Sequence, residues 1–190
     1  MLPQVIILNG SSSSGKTALA RALQERLNEQ YVNFSIDSVL GGLPPSDLLK
    51  LQRGEIIGRN GYQWSALVRG YHYAMPGMLQ AGLKLIVDNA WCDNEEKREL
   101  LTELAGYRQA LIGVQCARDV AIARERQRGD RALGLAEWEF PRVHQGMVYD
   151  HTVNTDQHSP HVLAEQLAIW LETTPDLRGA LETLEALNLS

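Results

Sequence analysis

Two cysteines in 190 residues cannot build a disulfide framework, and Cys92 and Cys116 lack metal-ligand spacing, so they read as reduced thiols. Lysine is scarce. Lys16, Lys50, Lys84 and Lys97 are the full complement, so most of the positive charge is arginine, whose planar fork suits bidentate contact with phosphate. No run approaches the ~20 apolar residues of a membrane span. The start of the chain lacks the basic residues, longer apolar stretch and cleavage site of a signal peptide, so the cytoplasm is the expected location and no membrane partner is expected. A net charge of -5 argues against a nucleic-acid partner held by broad phosphate neutralisation. The histidines, His72, His144, His151, His158 and His161, show no zinc spacing, since Ser159-Pro160 breaks regular geometry between the last two. Exposed or helix-capping roles are expected for them.

The composition is that of an ordinary soluble globular chain, with 44% hydrophobic and 22% charged residues, and the length suits one compact domain. Apolar runs bounded by turn residues alternate with stretches of helical period, which predicts a parallel sheet covered on both faces. The expected strands are Val5–Leu8, Val32–Ile36, Leu83–Val87, Leu111–Val114 and a weaker Tyr149–Val153. Helices are expected to begin at Lys16, near Tyr62, at Glu95 behind an Asn94 cap, near Asp119, near Leu135 and near His161. The stretch Gly41–Gly61 is rich in glycine and proline and reads as irregular, either a functional segment or a surface excursion. From Pro175 to Ser190 one amphipathic helix is expected, with Leu177, Leu181, Leu184 and Leu187 on one side. The predicted division is therefore a main domain over 1–173 and an extension over 174–190 packed on it. Self-association through that tail, as a homo-oligomer, is the alternative.

The segment Gly10-Ser11-Ser12-Ser13-Ser14-Gly15-Lys16-Thr17 matches G-x-x-x-x-G-K-[ST] in full. Its glycines permit close backbone approach, and its inward N–H groups join the following helix N-terminus in stabilising negative charge. Lys16 places a compact positive charge on the outer phosphates, and the Thr17 hydroxyl suits a Mg²⁺ that bridges them. A chance serine-rich turn would not stand between Val5-Ile6-Ile7-Leu8 and an amphipathic helix carrying Leu19, Leu23 and Leu27. The segment is read as holding the triphosphate of ATP or GTP.

Ligands of open α/β sheets sit beyond the carboxyl ends of the strands. Asp37 is predicted there, as a general base for an acceptor hydroxyl or as a cap or turn residue. Asp88 follows an apolar strand and is predicted to support Mg²⁺ directly or through water. Asn89 beside it positions a substrate or satisfies backbone groups. Asp150, at the start of the last strand, reads as structural. Arg124, Arg126, Arg128 and Arg131 fall close together, and Arg124 and Arg128 share a helix face. That element is predicted to close over the nucleotide, with Arg124 and Arg128 as nucleotide-binding residues, Arg128 or Arg131 contacting phosphate and Arg131 acting on charge developed during transfer. A solvated face paired with Glu125 and Asp130 is the alternative. Trp64, Tyr71 and Tyr73 line an apolar pocket or pack in the core.

These residues together resemble the chloramphenicol phosphotransferase family, small P-loop kinases that phosphorylate a hydroxyl of the antibiotic. The likeness runs from Val5 to about Leu171 and rests on Ile7-Leu8-Asn9-Gly10, Ile36-Asp37-Ser38, Gly113-Val114-Gln115-Cys116 and Arg128-Gly129-Asp130-Arg131. It also includes Val143-His144-Gln145-Gly146-Met147-Val148-Tyr149-Asp150 and Val153-Asn154-Thr155. The resemblance implies a three-layer P-loop kinase fold with a five-stranded parallel sheet, and ATP as donor to a small-molecule hydroxyl acceptor. It also implies Asp37 as the proposed base and Arg128 and Arg131 in a lid. Where the antibiotic-modifying member carries paired acids, this chain has Asp88-Asn89, and the stretch Val39–Gly70 is poorly matched. A nucleotide-dependent ATPase or switch acting on a partner protein is the competing reading. The N-K-x-D signature of a guanine-type switch is missing, since no Asn-Lys pair occurs.

Overall fold

Residues of the central strands are apolar on both sides, which commits them to a sheet buried between two layers of helices. A computed structural model describes residues 1–128, 133–173 and 176–189. In chain order its elements are β1 (Val5–Asn9), α1 (Lys16–Arg26), β2 (Tyr31–Ser35), α2 (Ile36–Leu40) and α3 (Pro45–Gln52). There follow α4 (Trp64–Gln80), β3 (Lys84–Asn89), α5 (Asn94–Glu103), β4 (Gln109–Gln115) and α6 (Arg118–Arg128). The last are α7 (Leu135–Glu139), β5 (His151–Asn154), α8 (Pro160–Thr173) and α9 (Gly179–Leu189). The strands form one parallel five-stranded sheet, as expected, in the order β2-β3-β1-β4-β5.

Alternation along each strand sorts the core. Ile6 and Leu8 of β1, with Ile112 and Val114 of β4, meet Leu19 and Leu23 of α1 and Leu163 and Leu167 of α8. Val5, Ile7, Leu85, Val87 and Leu111 point the other way, onto α4, α5 and α9 through Tyr71, Met75, Leu100, Leu101 and Ala180. Burying each such side chain fully contributes about 1.5–3 kcal/mol, so the two clusters fix the layers before any polar contact is considered. The chain lays β2 and β3 on one side of β1 and β4 and β5 on the other. The crevice beyond the carboxyl end of β1 is thus a topological switch point, where open α/β sheets bind ligands.

Three local expectations change. The stretch read as irregular holds α3, which Pro45 starts at its first position and Asp47 favours in its first turn. Glycine and proline density there reports the helix boundaries, not an absence of helix. The cap of α5 is Asp93 and not Asn94: its carboxylate accepts from Glu95 N at 2.7 Å and Glu96 N at 3.1 Å. In the tail Leu187 is buried and Leu184 packs against the core, while Leu181 is 49% exposed and Leu177 packs on the opposite layer. The ends of that stretch, Pro175 and Ser190, lie outside the described residues.

The start of α9 is held by polar contacts that periodicity does not show. Asp150 accepts from Arg178 N and Gly179 N, both at 2.7 Å, and from Leu111 N at 2.8 Å. The buried Thr183 hydroxyl donates to Val148 O at 3.0 Å and accepts from Val148 N at 2.9 Å. Asp150 thus satisfies orphan donors at a helix start, a structural role.

Candidate active site

The phosphate loop joins β1 to α1 and sits over the switch point. A Cβ on Gly10 would lie 2.3 Å from Val114 O, so only glycine lets the loop pass against β4. Gly15 has φ 97° and Ser13 φ 60°, left-handed conformations that turn successive amides toward one concave side. Lys16 is 7% exposed, and its ammonium donates to Ser11 O at 2.8 Å and lies 3.8 Å from Asp88 Oδ1. The Ser12 N–H donates to the carboxylate of Glu139, from the end of α7. The loop therefore already receives an anion from the protein itself. Sequence reading passed over Glu139, and only the arrival of α7 above the loop marks it.

Thr17 and Asp88 are brought together as expected. The Thr17 hydroxyl donates to Asp88 Oδ2 at 2.6 Å. Asp88 lies within β3 and Asn89 ends it, two residues further along than the predicted strand. Below them the fully buried Asn9 ties three segments together. Its amide donates to Val143 O at 2.8 Å and to the Tyr149 hydroxyl at 2.7 Å, while its oxygen accepts from Trp91 N at 3.0 Å. The residues carrying the family likeness at 143–150 thus meet the phosphate loop through one side chain.

Asp37 stands in the first turn of α2, directly after β2, with Ser35 and Ser38 forming a capping box. It lines the same cavity as Lys16, Thr17 and Asp88, of about 900 Å³. Arg124 and Arg128 of α6 line it too, so they do share a face. The Arg124 guanidinium is engaged with Thr155, donating to Oγ1 and to O, each at 3.0 Å, and Thr155 Oγ1 donates to Ser14 O at 2.7 Å. Arg124 of α6 therefore buttresses the loop through Thr155, the residue that follows β5. Arg131, with Gly129 and Asp130, lies outside the described residues.

The far half of the cavity is apolar, built from Leu40, Leu48, Leu51, Trp64 and Val68. Of the three aromatics proposed for it, Trp64 and Tyr71 are lining residues, but Tyr73 is not: its hydroxyl donates to Glu99 Oε1 at 3.0 Å on an exposed face. His72 is not exposed as expected. It is 1% exposed, lines the cavity and lies 2.7 Å from Glu99 Oε2 through Nδ1. Glu96, also a lining residue, has its pKa raised first by burial and then by Asp93 and Glu99. His144 is half-buried: its Nδ1 lies 2.6 Å from the Tyr149 hydroxyl, and burial, then Lys16 and Lys97, lower its pKa. Cys92 and Cys116 are free, and burial pushes Cys92 up to about 12, so neither is poised as a thiolate nucleophile.

Comparison with known proteins agrees with this geometry. The family model described as chloramphenicol phosphotransferase-like protein matches residues 3–172. A Mycobacterium tuberculosis protein, named as a candidate O-phosphotransferase in two strains, is 29% identical over 180 residues, covering 86% of this chain and 80% of that one. Among solved structures, a sugar kinase from Janibacter sp. HTCC2649 superposes with a TM-score of 0.66 at 18% identity, covering 90% of this chain and 95% of its own. The Mycobacterium tuberculosis APS kinase, in complex with AMPPNP and APS, gives 0.65 at 15% identity, with 90% and 99% covered. At such identities the structures establish the P-loop kinase fold.

Proposed function

The chain belongs to the chloramphenicol phosphotransferase-like family, and on that premise we propose that it is an ATP-dependent kinase that phosphorylates a hydroxyl of a small molecule. The observation that carries this reading is one shared cavity: Lys16 and Thr17 on one side, Asp88 at the base, Asp37 above, and an apolar recess beyond. A concave site of about 900 Å³ suits a nucleotide's outer phosphates and a compact acceptor.

The loop amides and Lys16 hold the triphosphate; the carboxylate already taken by Ser12 N–H supports this, as does the orphaned buried Ser13 hydroxyl within the loop. Thr17 and Asp88 supply hard oxygen donors. Among the described residues no group of three His, Cys, Asp or Glu could cage a metal, so a Mg²⁺ here would complete its shell with phosphate oxygens and water. Once bound it would neutralise charge developing on the transferred phosphoryl group. Asp37 orients the acceptor and takes its hydroxyl proton as the new oxygen–phosphorus bond forms and the bond to ADP's β-phosphate oxygen breaks. Arg128 and Arg131 are proposed to act on the transferring phosphate from the α6 side, Arg131 chiefly on transition-state charge. No helix among the described residues is long and apolar enough to cross a membrane, and the free thiols fit a cytoplasmic setting.

The test is a screen of ATP consumption with Mg²⁺ across hydroxyl compounds, chloramphenicol among them, with mass detection of product. The expected result is a phosphorylated alcohol with matching ADP release, lost in Lys16→Ala. ADP release that is independent of any alcohol, and stimulated by a protein partner, would replace the kinase reading with a switch.

A further inference from the structure

We propose that Asn89 and Trp91 form a subsite that holds an uncharged oxygen of the acceptor, a hydroxyl or carbonyl additional to the reacting hydroxyl. The inference rests on the kinase reading and deepens it by naming the acceptor's chemistry.

Among the described residues, two buried side-chain N–H groups have no hydrogen-bond partner: Asn89 Nδ2 and Trp91 Nε1. Both residues line the cavity, although Asn89 is only 5% exposed and Trp91 2%. Leaving a buried donor unpaired costs about 1–3 kcal/mol, so two of them on residues that line one cavity call for an acceptor atom supplied from outside the protein. The Tyr71 hydroxyl donates to Asn89 Oδ1 at 2.9 Å, which fixes the amide with Nδ2 as the free donor. Trp91 is anchored through its backbone N–H to Asn9 Oδ1 at 3.0 Å. The subsite shares one cavity with the reacting centre, since Asn89 and Trp91 line it together with Asp37 and Asp88.

The charges around the cavity say what kind of oxygen fits. The cationic residues that line it, Lys16, Arg124 and Arg128, come from α1 and α6, on the nucleotide side. The elements from α2 to α5 contribute Asp37, Asp88 and Glu96 to the lining and no lysine or arginine among the described residues. A carboxylate or phosphate on the acceptor would meet these acids without a counter-charge, whereas a neutral oxygen satisfies both orphan donors at no Coulombic cost. The apolar recess beyond takes the rest of the molecule. The chemistry selects an amphiphilic diol or hydroxy-carbonyl compound, and rejects hydroxy acids and sugar phosphates.

The experiment measures kcat/KM for matched acceptors on one apolar skeleton: the diol, the mono-alcohol lacking the second oxygen, and the hydroxy acid. Wild type is compared with Trp91→Phe, which keeps the ring and removes the donor, and with Asn89→Asp, which keeps the oxygen facing Tyr71 and removes the donor. Wild type is expected to prefer diol over mono-alcohol by about 10²-fold or more, with the hydroxy acid poorest. Each variant should cut that ratio about tenfold, the loss falling mainly on the diol. Damage to the fold would lower both acceptors alike, so the ratio isolates the subsite. A ratio unchanged in both variants, or a preference for the hydroxy acid, overturns the subsite while leaving the kinase standing. Absence of phosphorylated product from every alcohol overturns the kinase reading, and the subsite with it.

Discussion

Thr17 and Asp88 face each other across 2.6 Å, the hydroxyl of the first turn of α1 donating to the carboxylate at the end of β3. They are far apart in the chain. The parallel pairing of β1 with β3 brings Leu8 opposite Asp88 and Asn9 opposite Asn89, so the loop leaving β1 must pass over both. The hydrogen bond closes the pocket floor, with Lys16 3.8 Å from the same carboxylate.

Asp88→Asn should therefore weaken metal-dependent nucleotide binding more than metal-free binding. The amide accepts one hydrogen bond but offers no charge to a divalent cation. Titrating MgATP and metal-free ATP by calorimetry checks this. A loss equal for both forms would assign Asp88 to positioning Thr17 and Lys16.

Asp37→Asn should leave ATP affinity near wild type and lower phosphoryl transfer by on the order of 10²–10⁴, the usual range for a positioned base. A smaller loss fits a loose transition state that asks little of the base until late. Transfer and affinity both unchanged would make Asp37 a residue of the α2 first turn and nothing more.

Glu139→Gln should tighten ATP binding by about fivefold, on the order of 1 kcal/mol, because a carboxylate near the loop amides competes with phosphate for the same donors. The neutral amide relieves that competition. Weaker binding in the variant would instead place Glu139 among the groups that assist the nucleotide.

His144 predicts a pH dependence of stability. Burial, with Lys16 and Lys97, holds its folded pKa below the ordinary 6.5. As pH falls through about 6.5 the unfolded state takes up a proton before the folded state does, so stability declines on acidification and is fully present above that pH. His151, lowered by burial, adds in the same direction. Urea unfolding from about pH 8 to pH 5 should show this slope, flattened in part in His144→Gln. An unchanged slope would remove His144 as its source.

The sequence by itself determined the frame: apolar runs of strand length alternating with helical periods admit little other than a parallel sheet between helices, and eight contiguous residues specify the phosphate loop. Asp37 and Asp88 were legible for the same reason, since a carboxylate directly after an apolar strand falls at the ligand-binding edge of such a sheet. Local signals failed where a residue's neighbours come from elsewhere in the chain. His72 reads as a surface residue until α5 brings Glu99 to it, and Tyr73, next in sequence, reaches the same carboxylate from outside the cavity because successive helix positions point about 100° apart. Glu139 and Trp91 carry no motif at all. Glu139 is brought to the loop by α7, and Trp91 is held by Asn9 of the neighbouring strand, whose side-chain oxygen accepts its backbone N–H. Which polar groups are satisfied depends on distance in space, and only the folded chain decides that, leaving Asn89 and Trp91 with donors still to be met.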